Sequence, residues 1–409
     1  MRERIVITGM GVISAIGNNA SECLDALQQH RSGIAPMRYL RSVHHEFPVG
    51  EVKLSCEEMI QQLEASTSCH GTSLGALSRT SLMGAIAVDE ALHSARLRDC
   101  DRAALLSGTT VGDMDQIENC YDDCNHNADR CKYIATHSCG TSTEGIAECF
   151  PGQFNLVTTL STACSSAMNA IQLGAKLIES HRAQVVVAGG SESLTRYHLN
   201  GFKSLMILDQ EPCRPFDDTR AGLNLGEGAA YLVLECERHA LDRGCRPLAV
   251  LSGAGNRCDA FHQTASSSNG EGAFLAMSEA LETARLQPSD IDYINAHGTG
   301  TPNNDASECE ALRRVFGSQV PPFSSTKPFT GHTTSASGAI EAAFCIMALE
   351  HQFLPVNLNW AKPMRDGLRP VTSATPSKAI EHIMCNAFGF GGNDSSIVIS
   401  KYGKKSVRQ

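Results

Sequence analysis

Cys164, His297 and His332 are the residues of this chain whose surroundings most suit chemistry. Cys164 lies in the stretch FNLVTTLSTACSSAMNAIQLGAKLIES, residues 154–180. The apolar run around Leu156, Val157, Thr158 and Thr159 suits a buried strand. Beyond Cys164, Met168, Ile171, Ala175 and Ile178 recur at helical spacing with no proline between them. Cys164 is therefore expected at a strand-to-helix turn, near the N-terminus of an apolar helix. The free N–H groups and macrodipole there favour an anion, so a thiolate is expected to form more readily than at an ordinary cysteine. Ala163, Ser165, Ser166 and Ala167 are small enough to let a substrate reach the sulfur. A cysteine packed as a small hydrophobe is the other reading, and this stretch alone leaves both open.

Three later stretches supply what a reactive thiol needs. His297 sits in AHGTGTP, residues 296–302, between a short strand and a glycine-rich turn, with the hydroxyls of Thr299 and Thr301 beside it. His332 closes STKPFTGH, residues 325–332, which contains Lys327 and runs into a helix over 337–350 that carries Glu341. The third stretch is NAFGFGG, residues 386–392, with Phe388, Gly389 and Phe390, whose glycines let backbone N–H groups come close to a reacting oxygen. One histidine among fifteen carries little meaning. A cysteine at a helix start, with two glycine-flanked histidines downstream, matches the parts that acyl chemistry at a thiol requires.

Composition bounds the alternatives. The chain has 409 residues, 42% of them hydrophobic and 35 of them glycine, enough for one large domain or two fused ones. A formal net charge of -10 argues against general affinity for nucleic acid. The N-terminal residues MRERIVITGMGVISAIGNN show no secretory pattern, and no run approaches a membrane span. Seventeen cysteines without a framework fit a reducing, cytoplasmic setting. Cys120, Cys124, Cys131 and Cys139, with His137, lack paired zinc spacing, so an ordinary helix and loop is expected there and no metal.

Elements that must position these residues can be read in order. Residues 4–8 form a first strand, and Gly9, Gly11 and Gly17 read as a tight turn, since their spacing does not fit a dinucleotide loop. A short helix covers 20–29, and 31–78 reads as irregular. Residues 79–97 form an amphipathic helix, 103–107 a strand entering the turn GTTVG that holds Thr110 and Val111, and 184–188 and 229–235 are further strands. From 248 the pattern repeats: helix 272–286, strand 293–296, helix 337–350, strand 395–400. Both halves, 1–247 and 248–409, close with a glycine-rich loop feeding a strand, NLGEGAAYLVLE and FGFGGNDSSIVIS. The alternation predicts an α/β chain with an internal duplication and parallel sheets covered by helices.

TACSSA, HGTGTP, STKPFTGH and NAFGFGGN, in this order, resemble the β-ketoacyl-acyl-carrier-protein synthases, and more narrowly the elongating two-histidine condensing enzymes (β-ketoacyl synthase II-like) of type II fatty acid, polyketide or polyene synthesis. The resemblance covers essentially the whole chain. It implies a thiolase-like fold, two similar halves in five layers α-β-α-β-α, usually dimeric. It implies a decarboxylative Claisen condensation of a malonyl-acyl-carrier-protein with a Cys164-bound acyl chain to give a 3-oxoacyl-acyl-carrier-protein, without metal or soluble cofactor. By the same resemblance the N–H groups of Cys164 and Phe390 form an oxyanion hole, and His297 and His332 serve decarboxylation and the enolate. Lys327 backed by Glu341 holds His332, Phe390 gates the cysteine, and Thr299 and Thr301 contact the pantetheine arm. Thr110, Val111, Phe202, Phe388 and Gly389 belong with the substrate-binding positions. The partners implied are an acyl carrier protein and either a second copy or a related ketosynthase-like subunit.

Two departures stand out. Gly392-Asn393-Asp394 replaces the usual Thr-Asn after the glycines, and the near-neutral SLGALS before Arg79 replaces basic carrier-docking residues, leaving Arg196 and Lys203 as candidates. The alternative readings are a non-catalytic chain-length-determining partner subunit, which typically lacks the cysteine, and a thiolase, which needs a second cysteine where Phe388-Gly389 stand.

Overall fold

A computed structural model describes residues 3–70, 73–97, 103–124 and 138–403, the side chains at 120 and 122–124 excepted. Its strands are β1 (Ile5–Ser14), β2 (Ala103–Gly108), β3 (Phe154–Leu160), β4 (Val185–Glu192), β5 (Gly228–Cys236), β6 (Ala249–Cys258), β7 (Tyr293–Asn295), β8 (Phe323–Ser324), β9 (His382–Phe388) and β10 (Asn393–Lys401). They hydrogen-bond in the order β3-β2-β4-β5-β1-β6-β10-β9-β7-β8. Read from each outer edge inward, the two halves have the same plan. β2 is parallel to β3 and β4, as β7 is to β8 and β9. The next strand, β5 or β10, runs antiparallel to both its neighbours. The halves meet where β1 pairs with β6, at Val6 with Val250 and Ile7 with Ala249.

The duplication expected from the glycine-loop repeat is thus visible strand by strand. The expectation of parallel sheets needs correction, because β5, β1, β10 and β6 run antiparallel to their partners. A strand covered on both faces is buried along most of its length whichever way it runs, as β1, β5 and β10 are, so its pattern does not encode direction.

Helices complete five layers. Arg79–Ala95 covers the outer face of β1, β4 and β5, while Glu271–Ala284, with Pro302–Phe316 against it, covers β6 and β10. Ser166–Glu179 and Ser337–His351 lie between the two halves and pack on each other. The second of these is buried from Ser337 to Leu349, as a helix that is apolar all round must be.

Gly9 and Gly11 lie within β1 and not in a turn; the turn comes at Ser14–Gly17, closed by the Gly17 N–H on the Ser14 carbonyl. A Cβ on Gly11 would sit 2.0 Å from the Ala87 carbonyl oxygen, and one on Gly9 2.5 Å from that of Ala91. In the second half, a Cβ on Gly253 would sit 2.2 Å from the Ala280 carbonyl oxygen, and one on Gly255 2.2 Å from that of Ala276. These glycines let an outer helix lie directly on the strand. Glu90 and Glu279 repeat the correspondence, accepting the N–H of Val12 and Asn256, each at 2.9 Å.

Two other expectations change. β3 is an edge strand, with Leu156 42% and Val157 37% exposed, and so is not buried. The stretch 31–78 contains a helix, Cys56–Glu64, begun by a Ser55/Glu58 capping box. Of the residues considered for zinc, Cys131, His137 and the side chains of Cys120 and Cys124 lie outside the described residues, while Cys139 Sγ donates to the Thr110 carbonyl at 3.4 Å. Among the described residues no His/Cys/Asp/Glu group could hold a metal, and no helix is long and apolar enough to cross a membrane.

Gly11→Ala is expected to force the Arg79–Ala95 helix off β1 and to lower unfolding stability by about 1–3 kcal/mol. Guanidinium unfolding of the variant checks this, and an unchanged midpoint would contradict the close approach.

Candidate active site

Cys164 stands between β3 and the Ser166–Glu179 helix, 4% exposed. Ala163 before it adopts φ +54°, a left-handed conformation that costs a non-glycine residue about 1–3 kcal/mol unless its surroundings hold it. They do. The Ser166 hydroxyl donates to the Ala163 carbonyl at 2.6 Å and accepts the Thr162 N–H at 2.8 Å. Asn393 Oδ1 accepts from Ser165 Oγ at 2.7 Å, Asn169 Nδ2 at 2.7 Å and Asn256 Nδ2 at 2.9 Å. The departure at Asn393 therefore ties the glycine-rich loop to the cysteine turn. Gly391 and Gly392, both at φ +80°, carry the loop past the sulfur.

Burial pushes the Cys164 thiol up from 9.0 to about 11, against the pull of Lys327 and of the Phe390 N–H directed at it. The expected ease of thiolate formation is not met. A rise of this size corresponds to about 3 kcal/mol, whereas a helix N-terminus offers about 0.3–1 kcal/mol. Desolvation wins.

His332 Nε2 lies 3.1 Å from Cys164 Sγ. Its backbone is clamped, the N–H donating to the Asn224 carbonyl at 2.7 Å and the carbonyl accepting from Gly226 at 2.9 Å. The His297 ring stands nearly perpendicular to that of His332, centroids 5.3 Å apart, with Phe388 5.8 Å behind it. Lys327 is 1% exposed; its ammonium donates to Glu341 Oε1 at 2.6 Å, the His297 carbonyl at 2.5 Å and His297 Nδ1 at 3.3 Å. The expectation that Lys327 and Glu341 hold His332 is corrected: they hold His297. Between Lys327 and His332 the chain makes one short helical turn and reverses at Gly331, φ +72°, which sends the two side chains apart.

An ammonium proton on Nδ1 leaves His297 neutral, with its own proton on Nε2. Burial first, then Lys327, holds both imidazoles well below 6.5; each also feels a neighbouring histidine, His332 for His297 and His198 for His332.

Two carboxylates that the motifs did not reveal pin the AHGTGTP turn. Glu308 accepts the N–H of His297 and Gly298, each at 2.8 Å, and burial raises it to about 7. Asp305 accepts those of Phe216 at 2.8 Å and Gly300 at 3.2 Å. The available signal was an acidic pair on the first turns of the helix that follows the motif. The hydroxyls of Thr299 and Thr301 lie 2.9 Å apart.

Cys164, His297, His332, Thr299, Thr301, Phe202, Phe388, Gly389 and Phe390 line one cavity of about 310 Å³. The rings of Phe202 and Phe390 stack there at 5.7 Å. Thr110 and Val111 are not among its walls; their N–H groups are bound by Glu192. A larger surface depression between Arg313 and Arg369 contains none of these residues. The candidate docking cations are engaged: Arg196 with the carbonyl and carboxylate of Glu118, and Lys203 with His44 at 3.0 Å.

Family models for the β-ketoacyl synthase N-terminal and C-terminal domains match residues 2–240 and 248–361. The chain is 31% identical to 3-oxoacyl-[acyl-carrier-protein] synthase 2 of Vibrio harveyi, across 98% of this chain and 99% of that protein. It is 33% identical to nodulation protein E of Rhizobium meliloti strain 1021, across 98% and 100%. Among solved structures, a chain of the ishigamide ketosynthase/chain length factor superposes with a TM-score of 0.90 at 29% identity, covering 98% of this chain and all of that one.

Lys327→Met should leave the Glu341 carboxyl buried without its partner and cost about 3–5 kcal/mol. Lys327→Met combined with Glu341→Leu should recover much of that stability. Equal unfolding midpoints for the single and double variants would contradict the buried pair.

Proposed function

The chain belongs to the β-ketoacyl synthase family, and from that premise we propose that it is an elongating 3-oxoacyl-acyl-carrier-protein synthase in which Cys164 carries the growing chain and His297 and His332 serve the malonyl unit. The observation that carries this reading is the shared cavity, with His332 Nε2 3.1 Å from the sulfur and the His297 tautomer fixed by Lys327.

In the first half-reaction the thiol proton passes to His332 as the sulfur attacks the acyl thioester. The N–H groups of Cys164 and Phe390 stabilise the oxyanion. The pantetheine thiol leaves with the proton, and the acyl chain stays on Cys164. A malonyl thioester then enters past Thr299 and Thr301. As carbon dioxide departs, its bonding electrons move into the thioester, and the developing enolate oxygen receives hydrogen bonds from His297 Nε2–H and from His332, whose single proton has moved by solvent exchange from Nδ1 to Nε2. The enolate carbon attacks the acyl carbonyl, Cys164 leaves as thiolate and takes up a proton from solvent, and a chain two carbons longer remains on the carrier. No step calls for a metal or soluble cofactor.

Two alternatives fit less well. A thiolase needs a second cysteine beside the first, but among the residues lining the cavity Cys164 is the sole cysteine. A non-catalytic chain-length subunit has no use for the Cys164–His332 contact.

The partners follow from the same reading. The carrier is an acyl carrier protein, as the Vibrio harveyi relative's name specifies for that enzyme. β3 leaves one sheet edge unpaired, with Leu156 and Val157 exposed. Such an edge favours pairing with a second chain, either another copy or a related subunit of the kind named in the ishigamide complex. A cytoplasmic location accords with the unpaired cysteines.

Cys164→Ala is expected to abolish acyl transfer, while His297→Ala and His332→Ala retain some acyl-enzyme and lose condensation by roughly 100-fold or more. Intact-protein mass spectrometry and product assay separate these outcomes; a histidine variant that condenses at the wild-type rate would refute its role. Val157→Glu should disrupt pairing along β3 and shift native mass spectra toward monomer. An unchanged oligomer would exclude that edge.

A further inference from the structure

Glu192, at the C-terminal end of β4, is fully buried, and the reaction above gives it no task. Its carboxylate collects five hydrogen bonds. Oε1 accepts from Thr109 Oγ1 at 2.9 Å and the Val111 N–H at 3.1 Å. Oε2 accepts from the Thr110 N–H at 2.8 Å, Thr110 Oγ1 at 2.6 Å and the Ser335 hydroxyl. These donors occupy the whole acceptor capacity of a carboxylate. Among the described residues no cation lies within ion-pairing distance of it.

The donors come from two directions. Ser335 lies three residues after His332, in the turn that opens the Ser337–His351 helix. Between them Thr334 holds φ +45°, a left-handed conformation that is a true outlier for a β-branched residue and persists only where surrounding contacts over-determine it. On the other side, Thr110 Oγ1 spends its one proton on Glu192 and so accepts from His198 Nε2 at 3.3 Å. The His198 ring packs edge-on against Phe202, centroids 6.3 Å apart, and Phe202 stacks on Phe390. One carboxylate thus stands between the turn behind His332 and the aromatic column that ends at Phe390.

We infer that Glu192 is a positioning residue, which through Ser335 holds the strained turn behind His332, and through Thr110 and His198 the aromatic column at Phe390, so that base and gate keep their places about Cys164. This inference deepens the proposed reaction and rests on it for its meaning, but its geometry can be tested without any substrate. Because His332 Nε2 accepts from or donates to the sulfur, the reactivity of Cys164 reports where that imidazole stands.

The test is the rate of Cys164 alkylation by iodoacetamide at pH 8, read by peptide mapping. Ser335→Ala is expected to slow it by about threefold or more. Ser335→Thr, which keeps the hydroxyl, should return it to within about twofold of wild type. In the His332→Ala background, Ser335→Ala should bring no further loss, since the residue acts through the imidazole. Glu192→Gln should slow alkylation in the native background. In the His332→Ala background it should speed alkylation instead, because the Glu192 charge works against the thiolate. If Glu192→Gln fails to fold, the Ser335 variants decide alone. Ser335→Ala reacting at the wild-type rate, or slowed equally with and without His332, or matched by Ser335→Thr, would overturn the inference. Those rates stand even if the wild-type protein elongates no acyl carrier, a result that would instead overturn the proposed reaction.

Discussion

The interaction on which the site depends is the buried ammonium of Lys327. A lysine at 1% exposure is tolerable only with its charge balanced and its protons all used, and here three acceptors do so: Glu341 Oε1, the His297 carbonyl and His297 Nδ1. Glu341 is carried by the central Ser337–His351 helix and His297 by the turn after β7, so the lysine joins the core layer to the floor of the cavity. The same charge, with burial, keeps both imidazoles uncharged. A neutral histidine can donate a hydrogen bond to an enolate oxygen without handing it a proton outright, which is what carbon–carbon bond formation requires.

The duplicated architecture explains why the site lies where it does. Cys164 comes from the first half, at the start of one central helix, and both histidines from the second, before the other. The two central helices pack on each other, so the turn of Cys164 and the segment that ends in His332 are held together from the buried middle of the molecule. The outer layers need another device, glycines in β1 and β6 facing alanines of Arg79–Ala95 and Glu271–Ala284, to bring each helix onto its strand. That the device recurs in both halves, down to the glutamates that accept the N–H of Val12 and Asn256, makes the repeat a matter of packing as well as of order.

Much of this was legible in the residues, and what was not has physical causes. The four motifs named residues that the fold brings to one cavity, Cys164, His297, His332 and Phe390. The glycine-rich loops feeding β5 and β10 announced the repeat. Strand direction was not legible, since strands covered on both faces are buried along most of their length whichever way they run. Gly9 and Gly11 looked like turn residues because a glycine admitted for close approach resembles one admitted for its φ. Burial outweighed the helix start at Cys164 because desolvation depends on layers remote in sequence. Lys327 was matched with His332, five residues on, when the reversal at Gly331 gives it His297 instead. Glu308 and Glu192 passed unnoticed because their partners are backbone N–H groups and hydroxyls, which leave no motif.

The central claim is that the cavity holds two neutral imidazoles at working pH, kept so by burial and by Lys327. Nitrogen NMR of selectively labelled histidines across a pH series measures it directly, with His297→Ala and His332→Ala assigning the signals. Both resonances are expected to show neutral imidazole throughout the neutral range, titrating only well below 6.5, with His297 protonated on Nε2 alone. Either histidine titrating at or above 6.5, or a His297 proton on Nδ1, would contradict the account.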